Sequence, residues 1–260
     1  MVLALLLLPA VDIACFLLTN VYYTCPQLPV LYRSGVGAVA LLLLALLVTP
    51  LRQLTGWGWL LNVRRMIGVM AFVYTIIHLI AYVFVRNVDW ALMAWEFVNR
   101  PTVLLATVAF LGLAMLTATS PDVAISRMGA TRWKWMQRCA YVLTAISLLH
   151  FLLSRASIGG LPFMMTGCFL WLMGWRVLAS WRLSCDPWAL AGLAFVCSLT
   201  SMLLEAFWPW ALWGKYDPVE TLGFQLQHGA GCCARMEGAG NWAPANHCTG
   251  NLSTRIQRLA

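Results

Sequence analysis

The sequence predicts an all-α fold, a polytopic membrane bundle of six to seven transmembrane helices. Three observations carry that expectation. The chain holds only 17 basic and 9 acidic residues in 260, well under half of the roughly 65 that a soluble chain of this length carries. Hydrophobic residues make up 62% and the mean hydropathy is +0.78. The apolar residues gather into runs close to the ~20 residues that a membrane-spanning helix requires. A soluble globule could not bury so much apolar surface. Extensive disorder, a collagen-like rod and a disulfide-stapled secreted module are excluded by the same composition.

Seven runs qualify: residues 2–22, 35–51, 66–85, 101–120, 136–153, 161–179 and 187–210. Each is expected to be helical, because lipid gives exposed backbone groups no hydrogen-bonding partner and the alternation of a barrel strand is absent. The first run has no basic residue ahead of it, unlike a cleaved leader, and is read as a true span. Pro101 and Pro187 open their helices, where a missing N–H costs little. Pro50 and Pro209 are read as helix ends. Residues 1–213 thus form the bundle. The glycine-rich stretch 214–260 lacks helical period and reads as a poorly ordered tail.

The formal charge of +8 does not indicate nucleic acid, because the basic residues lie in short groups between apolar runs. Lipid is the expected surroundings, and the charge orients the chain in it. One side collects Arg52, Arg64, Arg65, Arg127, Arg132, Lys134, Arg138, Arg176 and Arg182; the other has Arg33, Arg86, Arg100, Arg155 and Lys215. The positive-inside rule places the richer group, and with it the N-terminus, in the cytoplasm.

Ionisable groups within spans are costly and point to function. Asp12 is read as a hydrogen-bonded packing contact ahead of a proton-relay role, and Glu205 as reaching water at the outer end of the last span. In the tail, His228, Cys232, Cys233, His247 and Cys248 could ligate a metal, but their spacing matches no zinc pattern.

His78 and His150 form the more informative pair. Each follows the inner end of its helix by 12 to 14 residues, about 18 and 21 Å, and the two helices run in the same direction. The imidazoles are therefore expected at one depth, in the outer half of the bilayer. Two neutral imidazoles facing each other supply one nitrogen for each axial face of a b-type haem; zinc would need more ligands. The competing reading is that each histidine bonds to a neighbouring helix. Tyr74, Thr75, Leu79 and Tyr82, with Ile146, Ser147, Phe151 and Ser154, could flank a macrocycle. Arg86 and Arg155 could meet its propionates, although loop arginines are commonly just solvated.

Three stretches resemble the ferric-reductase-like transmembrane family, and within it the haem-binding subunits of methionine sulfoxide reductase systems. They are the helix from Gly37 to Leu51 ending in Thr-Pro-Leu, the run Arg64-Arg65-Met-Ile-Gly68 followed by His78 and Tyr82, and the helix with Trp133, Tyr141 and His150. The likeness covers about residues 28–155. It implies a membrane electron conduit in the bacterial inner membrane, with His78 and His150 as haem ligands. The implied donor is a cytoplasmic flavin reductase or quinol, and the acceptor a periplasmic molybdenum-containing methionine sulfoxide reductase subunit. Arg64 and Arg65 match a basic pair that could hold the phosphate of a flavin such as FMN, or a propionate; as inner-side anchors they are equally well explained. Where the family commonly carries a further histidine, this chain has Gln137, a poor iron ligand. One haem is therefore expected rather than two, unless Met136 or another group substitutes. Two other functions stay open: direct reduction of ferric chelates outside the cell, and a cofactor-free transporter or assembly protein.

Overall fold

The computed structural model describes residues 6–19, 27–154, 160–181 and 186–213. Arg155, Arg182, Lys215 and the tail with its histidines and cysteines fall outside them. The described residues form helices α1 (Leu8–Thr19), α2 (Gln27–Thr55), α3 (Leu60–Val85), α4 (Trp90–Asn99), α5 (Pro101–Ala118), α6 (Asp122–Met128), α7 (Ala130–Gln137), α8 (Cys139–Leu153), α9 (Leu161–Ser180) and α10 (Pro187–Trp213). Six stretches are long and apolar enough to cross a bilayer: α2, α3, α5, α7 with α8, α9 and α10. The first run of the sequence is described only over α1, whose 12 residues rise about 18 Å, short of the ~30 Å hydrocarbon core.

α2 is the centre of the bundle. Over its most apolar stretch 56% of residues are buried, against 17% for α5 and for α10. One face of α2 (Leu41, Leu42, Val48) packs with Ile67, Ala71 and Tyr74 of α3, Leu113 of α5 and Leu143 of α8. Its other face (Val39, Leu43, Leu46) meets Leu148 and Phe151 of α8 with Met165 and Leu172 of α9. The peripheral helices turn apolar stripes outward, as with Leu104, Val108, Leu111 and Met115 on α5. In lipid those stripes carry no penalty. α5 and α8 approach closely because Gly112 has no side chain: a Cβ there would lie 2.3 Å from Leu143 Cδ2.

Pro50 does not end its helix. α2 runs through it to Thr55, and the reason lies on α9. Proline has no N–H, so the Leu46 carbonyl one turn earlier loses its helical donor. The Arg176 guanidinium replaces it, with Nη2 3.0 Å from Leu46 O, while Nη1 donates to Leu172 O at 2.8 Å. The same guanidinium lies over the Tyr141 ring at 4.6 Å. Arg176 is thus an interior donor within α9, and does not belong among the loop residues that orient the chain. α10 likewise continues past the expected stop, to Trp213. That extension places Glu205 about two turns inside the helix, where it is buried rather than reaching water. Asp12 forms an ion pair with Arg33 of α2, which agrees with the packing role.

α7 and α8 are one span with a tightened joint. Around Arg138 the bonds Arg138 N to Trp135 O and Tyr141 N to Arg138 O, both 3.1 Å, join residues three apart, the signature of a 3₁₀ turn. On the opposite side, α4 departs from the sequence expectation. Its ten residues are too few to span, and the sequence around them reads as an outer loop. The chain reverses into α4 through Asn87 (φ 53°) and Val88 (φ 58°), and the Asp89 side chain then caps α4 by accepting from Leu92 N at 3.0 Å.

The Pro50–Arg176 exchange yields a double-mutant test. Arg176→Met should lower stability by about 1–3 kcal/mol, the cost of an orphaned buried carbonyl, as read by thermal unfolding in detergent. In a Pro50→Ala background, where the backbone N–H restored at that position serves Leu46 O, the same substitution should cost measurably less.

Candidate functional site

The structure brings His78 and His150 together. His78 sits about two turns from the end of α3, and His150 within a turn of the end of α8. Their ring centroids are 6.4 Å apart, with the planes at 87°. His78 Nδ1 lies 2.8 Å from Leu31 O of α2, and His150 Nδ1 lies 2.9 Å from Thr102 O of α5. A carbonyl oxygen can only accept, so each Nδ1 carries a proton and donates it. That fixes the tautomer and leaves both Nε2 atoms as lone-pair donors. Metal-binding histidines are commonly oriented by such a bond. Helix-to-helix bonding and metal ligation are therefore compatible readings of these histidines: one nitrogen of each ring does the first and leaves the other for the second.

The spacing fits a single metal between the rings. Two metal–imidazole bonds of about 2 Å, plus about 1 Å of ring radius at each end, sum to about 6 Å. Among the described residues no group of three or more His, Cys, Asp or Glu side chains is placed to hold a metal ion. The pair offers two imidazole nitrogens, and His78 and His150 would be the residues to hold a haem iron, which takes nitrogen ligands of this kind.

Small residues make this arrangement possible. Gly35 on α2 faces the His78 ring so closely that a Cβ would lie 2.9 Å from Nδ1 and 3.0 Å from Cε1. Ser34, fully buried, turns its hydroxyl back onto Val30 O at 2.6 Å and Leu31 O at 3.1 Å, so no polar atom is left bare beside the ring. Tyr32 and Phe151 pack at 6.2 Å between ring centroids and hold α2 against α8 beside His150.

Other residues expected near the site are placed differently. Tyr74 does not flank it: its hydroxyl accepts from Ala10 N at 2.8 Å and donates to Leu6 O at 3.2 Å, which turns the ring toward α1. Arg64 and Arg65 lie 13 to 14 residues before His78, about 20 Å along α3. They cannot meet a group held between the histidines. Arg65 instead bonds Asp122 of α6 at 2.8 Å. Gln137 reaches toward Leu116 O at 3.5 Å, and Met136 packs against the core.

Arg86 is not a solvated loop arginine. With Arg100 it pairs to Glu96 of α4, Arg86 Nη2 at 2.8 Å and Arg100 Nη1 at 3.0 Å, both to Oε1. The Tyr82 hydroxyl donates to Oε2 at 2.5 Å. Glu96 is 1% exposed. Sequence reading missed it because it treated the segment as loop. The available signal was Asp89 as a helix cap before an apolar run, with Pro101 opening the next helix.

Comparison with known proteins agrees with this architecture. The family model for the ferric reductase like transmembrane component matches residues 34–148, a stretch that holds Gly35, His78 and Glu96. A curated protein-methionine-sulfoxide reductase heme-binding subunit MsrQ from Azospira oryzae is 33% identical over 186 residues, 71% of this chain and 79% of that protein. The MsrQ of Ralstonia nicotianae is 34% identical over 148 residues, 56% of this chain and 68% of that protein. The chain belongs to this ferric-reductase-like family of MsrQ proteins. No solved structure matches it.

The Gly35 contact makes a sharp prediction. Gly35→Ala should push the His78 ring off Leu31 O and, if His78 ligates haem, weaken haem affinity by about 10- to 100-fold, the usual penalty for losing an orienting bond. Soret absorbance per mole of purified protein reads this. Gly68→Ala, where a Cβ meets nothing within 4 Å, should leave it unchanged.

Proposed function

We propose that this chain is a membrane electron-transfer subunit that holds one b-type haem between His78 and His150. In this reading it passes electrons to a periplasmic molybdenum-containing methionine sulfoxide reductase subunit. The observation that carries it is the pair of adjacent imidazoles, 6.4 Å between centroids with planes at 87°, each anchored through Nδ1 to a carbonyl of another helix. The names of the MsrQ relatives, heme-binding subunits of a protein-methionine-sulfoxide reductase, support both the cofactor and the partner.

When bound, haem supplies reversible one-electron chemistry at its iron. The residues of the chain do the rest. Leu31 and Thr102 carbonyls hold the rings in one tautomer and raise the basicity of the free nitrogens. Gly35 lets α2 approach the ring. The surrounding apolar side chains keep bulk water away and lower the local dielectric, which tunes potential. Because both histidines lie near the outer ends of their helices, the site is close to the side where a periplasmic acceptor would dock.

The inner half belongs to the donor. Arg64, with Arg65 fixed on Asp122, gives the inner end of α3 a basic rim suited to the phosphate of FMN, and a cytoplasmic flavin reductase or a quinol would supply the electrons. Gln137 and Met136 offer no imidazole there, so the reading is one haem per chain in the bacterial inner membrane.

Spectra of detergent-purified protein, oxidised and dithionite-reduced, test this directly. A Soret band and a sharp reduced α band of low-spin haem are expected, with a haem-to-protein ratio near one. His78→Ala and His150→Ala should each remove most of the signal, and Gln137→Ala should change it little. A protein without the bands, or histidine variants that keep them, would overturn the reading; a ratio near two would overturn the single-haem part of it.

A further inference from the structure

Glu96 is a single buried carboxylate that meets two guanidiniums and a tyrosine; the Arg86 side chain is 28% exposed and that of Arg100 51%. The Glu96 charge cancels one of the two arginines and leaves a net charge of about +1 beside it. The arginine heads are not fully used either. Arg86 Nε is buried and has no hydrogen-bond partner, although a buried N–H normally finds one. An excess positive charge next to an unsatisfied donor calls for an anion.

The position of the cluster says which anion. Tyr82 lies one turn beyond His78 on α3, and the Arg86 guanidinium folds back over its ring at 5.5 Å, toward the histidine. Arg100 lies two residues before Thr102, the residue whose carbonyl anchors His150. Along the chain the cluster therefore begins one turn beyond His78 and ends two residues before the carbonyl that anchors His150, past the histidines toward the outer end of α3.

We propose that Arg86 and Arg100, held in place by Glu96 and Tyr82, form the site that receives the carboxylates of the tetrapyrrole, so that its propionate edge faces outward. The inference rests on the paired-histidine reading and adds the orientation of the ring within it. Arginine suits the task because its planar head binds carboxylate through parallel N–H bonds while keeping its own partners. Glu96 has a positioning role: without it, two long cationic side chains would spread into the interface. An oxyanion of either source, a propionate or a lipid phosphate, matches the chemistry of the cluster. The outward side of two metal-ready imidazoles favours the propionate.

The test uses full-length apoprotein in nanodiscs made of phosphatidylcholine alone, titrated with haemin and with haemin dimethyl ester, whose carboxylates are blocked. Wild type should bind haemin at least about tenfold more tightly than the ester, the worth of one charge-assisted contact. Arg86→Gln and Arg100→Gln should each reduce that preference while leaving ester affinity unchanged, and Arg86→Lys should keep part of it. Equal affinity of wild type for haemin and ester would overturn the proposal, and needs no variant to fold. So would arginine variants that lose both ligands equally. If binding depends on His78 and His150 yet ignores esterification, the proposal fails and the histidine reading stands. If neither tetrapyrrole binds, both fail. Were lipid phosphate the occupant, adding phosphatidylglycerol would displace neither ligand selectively and the ester would bind as well as haemin.

Discussion

Two hydrogen bonds hold the proposed functional centre of this protein: Nδ1 of His78 to Leu31 O and Nδ1 of His150 to Thr102 O. In lipid an imidazole N–H has no water to turn to, so a protein carbonyl must take it. Each bond crosses from one helix to another. The requirement therefore fixes which helices are neighbours, α3 with α2 and α8 with α5, and at what height. Gly35, Ser34 and the close α5–α8 contact at Gly112 are the local adjustments that let these crossings happen. Satisfying two protons at depth thereby settles much of the bundle's arrangement.

The same accounting explains the irregular features. Pro50 deprives Leu46 O of its donor, and Arg176 supplies one from α9. Glu96 would be prohibitively costly alone, and two arginines and a tyrosine surround it. In both cases a polar group that looks misplaced in the sequence has a partner on another helix. Arg176 and Leu46 are separated by 130 residues, and Tyr82 and Glu96 by a reversal through two left-handed residues.

This distribution of partners also explains what could be read from the sequence. The fold class and the run of spans were legible because lipid imposes a length and a hydropathy that need no tertiary knowledge. The shared depth of His78 and His150 was legible because helical rise converts residue number into height. Pro50 misled, since a proline's usual effect is local and its rescue by Arg176 is not. Glu205 misled because the end of α10 was placed too early. α4 escaped notice because a ten-residue amphipathic helix, Trp90–Asn99, has no length signature of a span and its one buried acid looked like loop polarity. Arg64 and Arg65 were visible as a basic pair, but only coordinates show Arg65 on Asp122 and both far from the histidines.

The length of α2 has a mechanical consequence. Its 29 residues extend about 44 Å at helical rise, well beyond a ~30 Å hydrocarbon slab. Its apolar run, residues 35–51, rises only about 26 Å, so the polar ends that carry Arg33 and Arg52 extend past the hydrocarbon, and because the helix passes unbroken through Pro50 both ends tilt together. Leu31, which grips His78, rides on that same rod. Any tilt of this one rigid lever is thereby connected to the orientation of an imidazole.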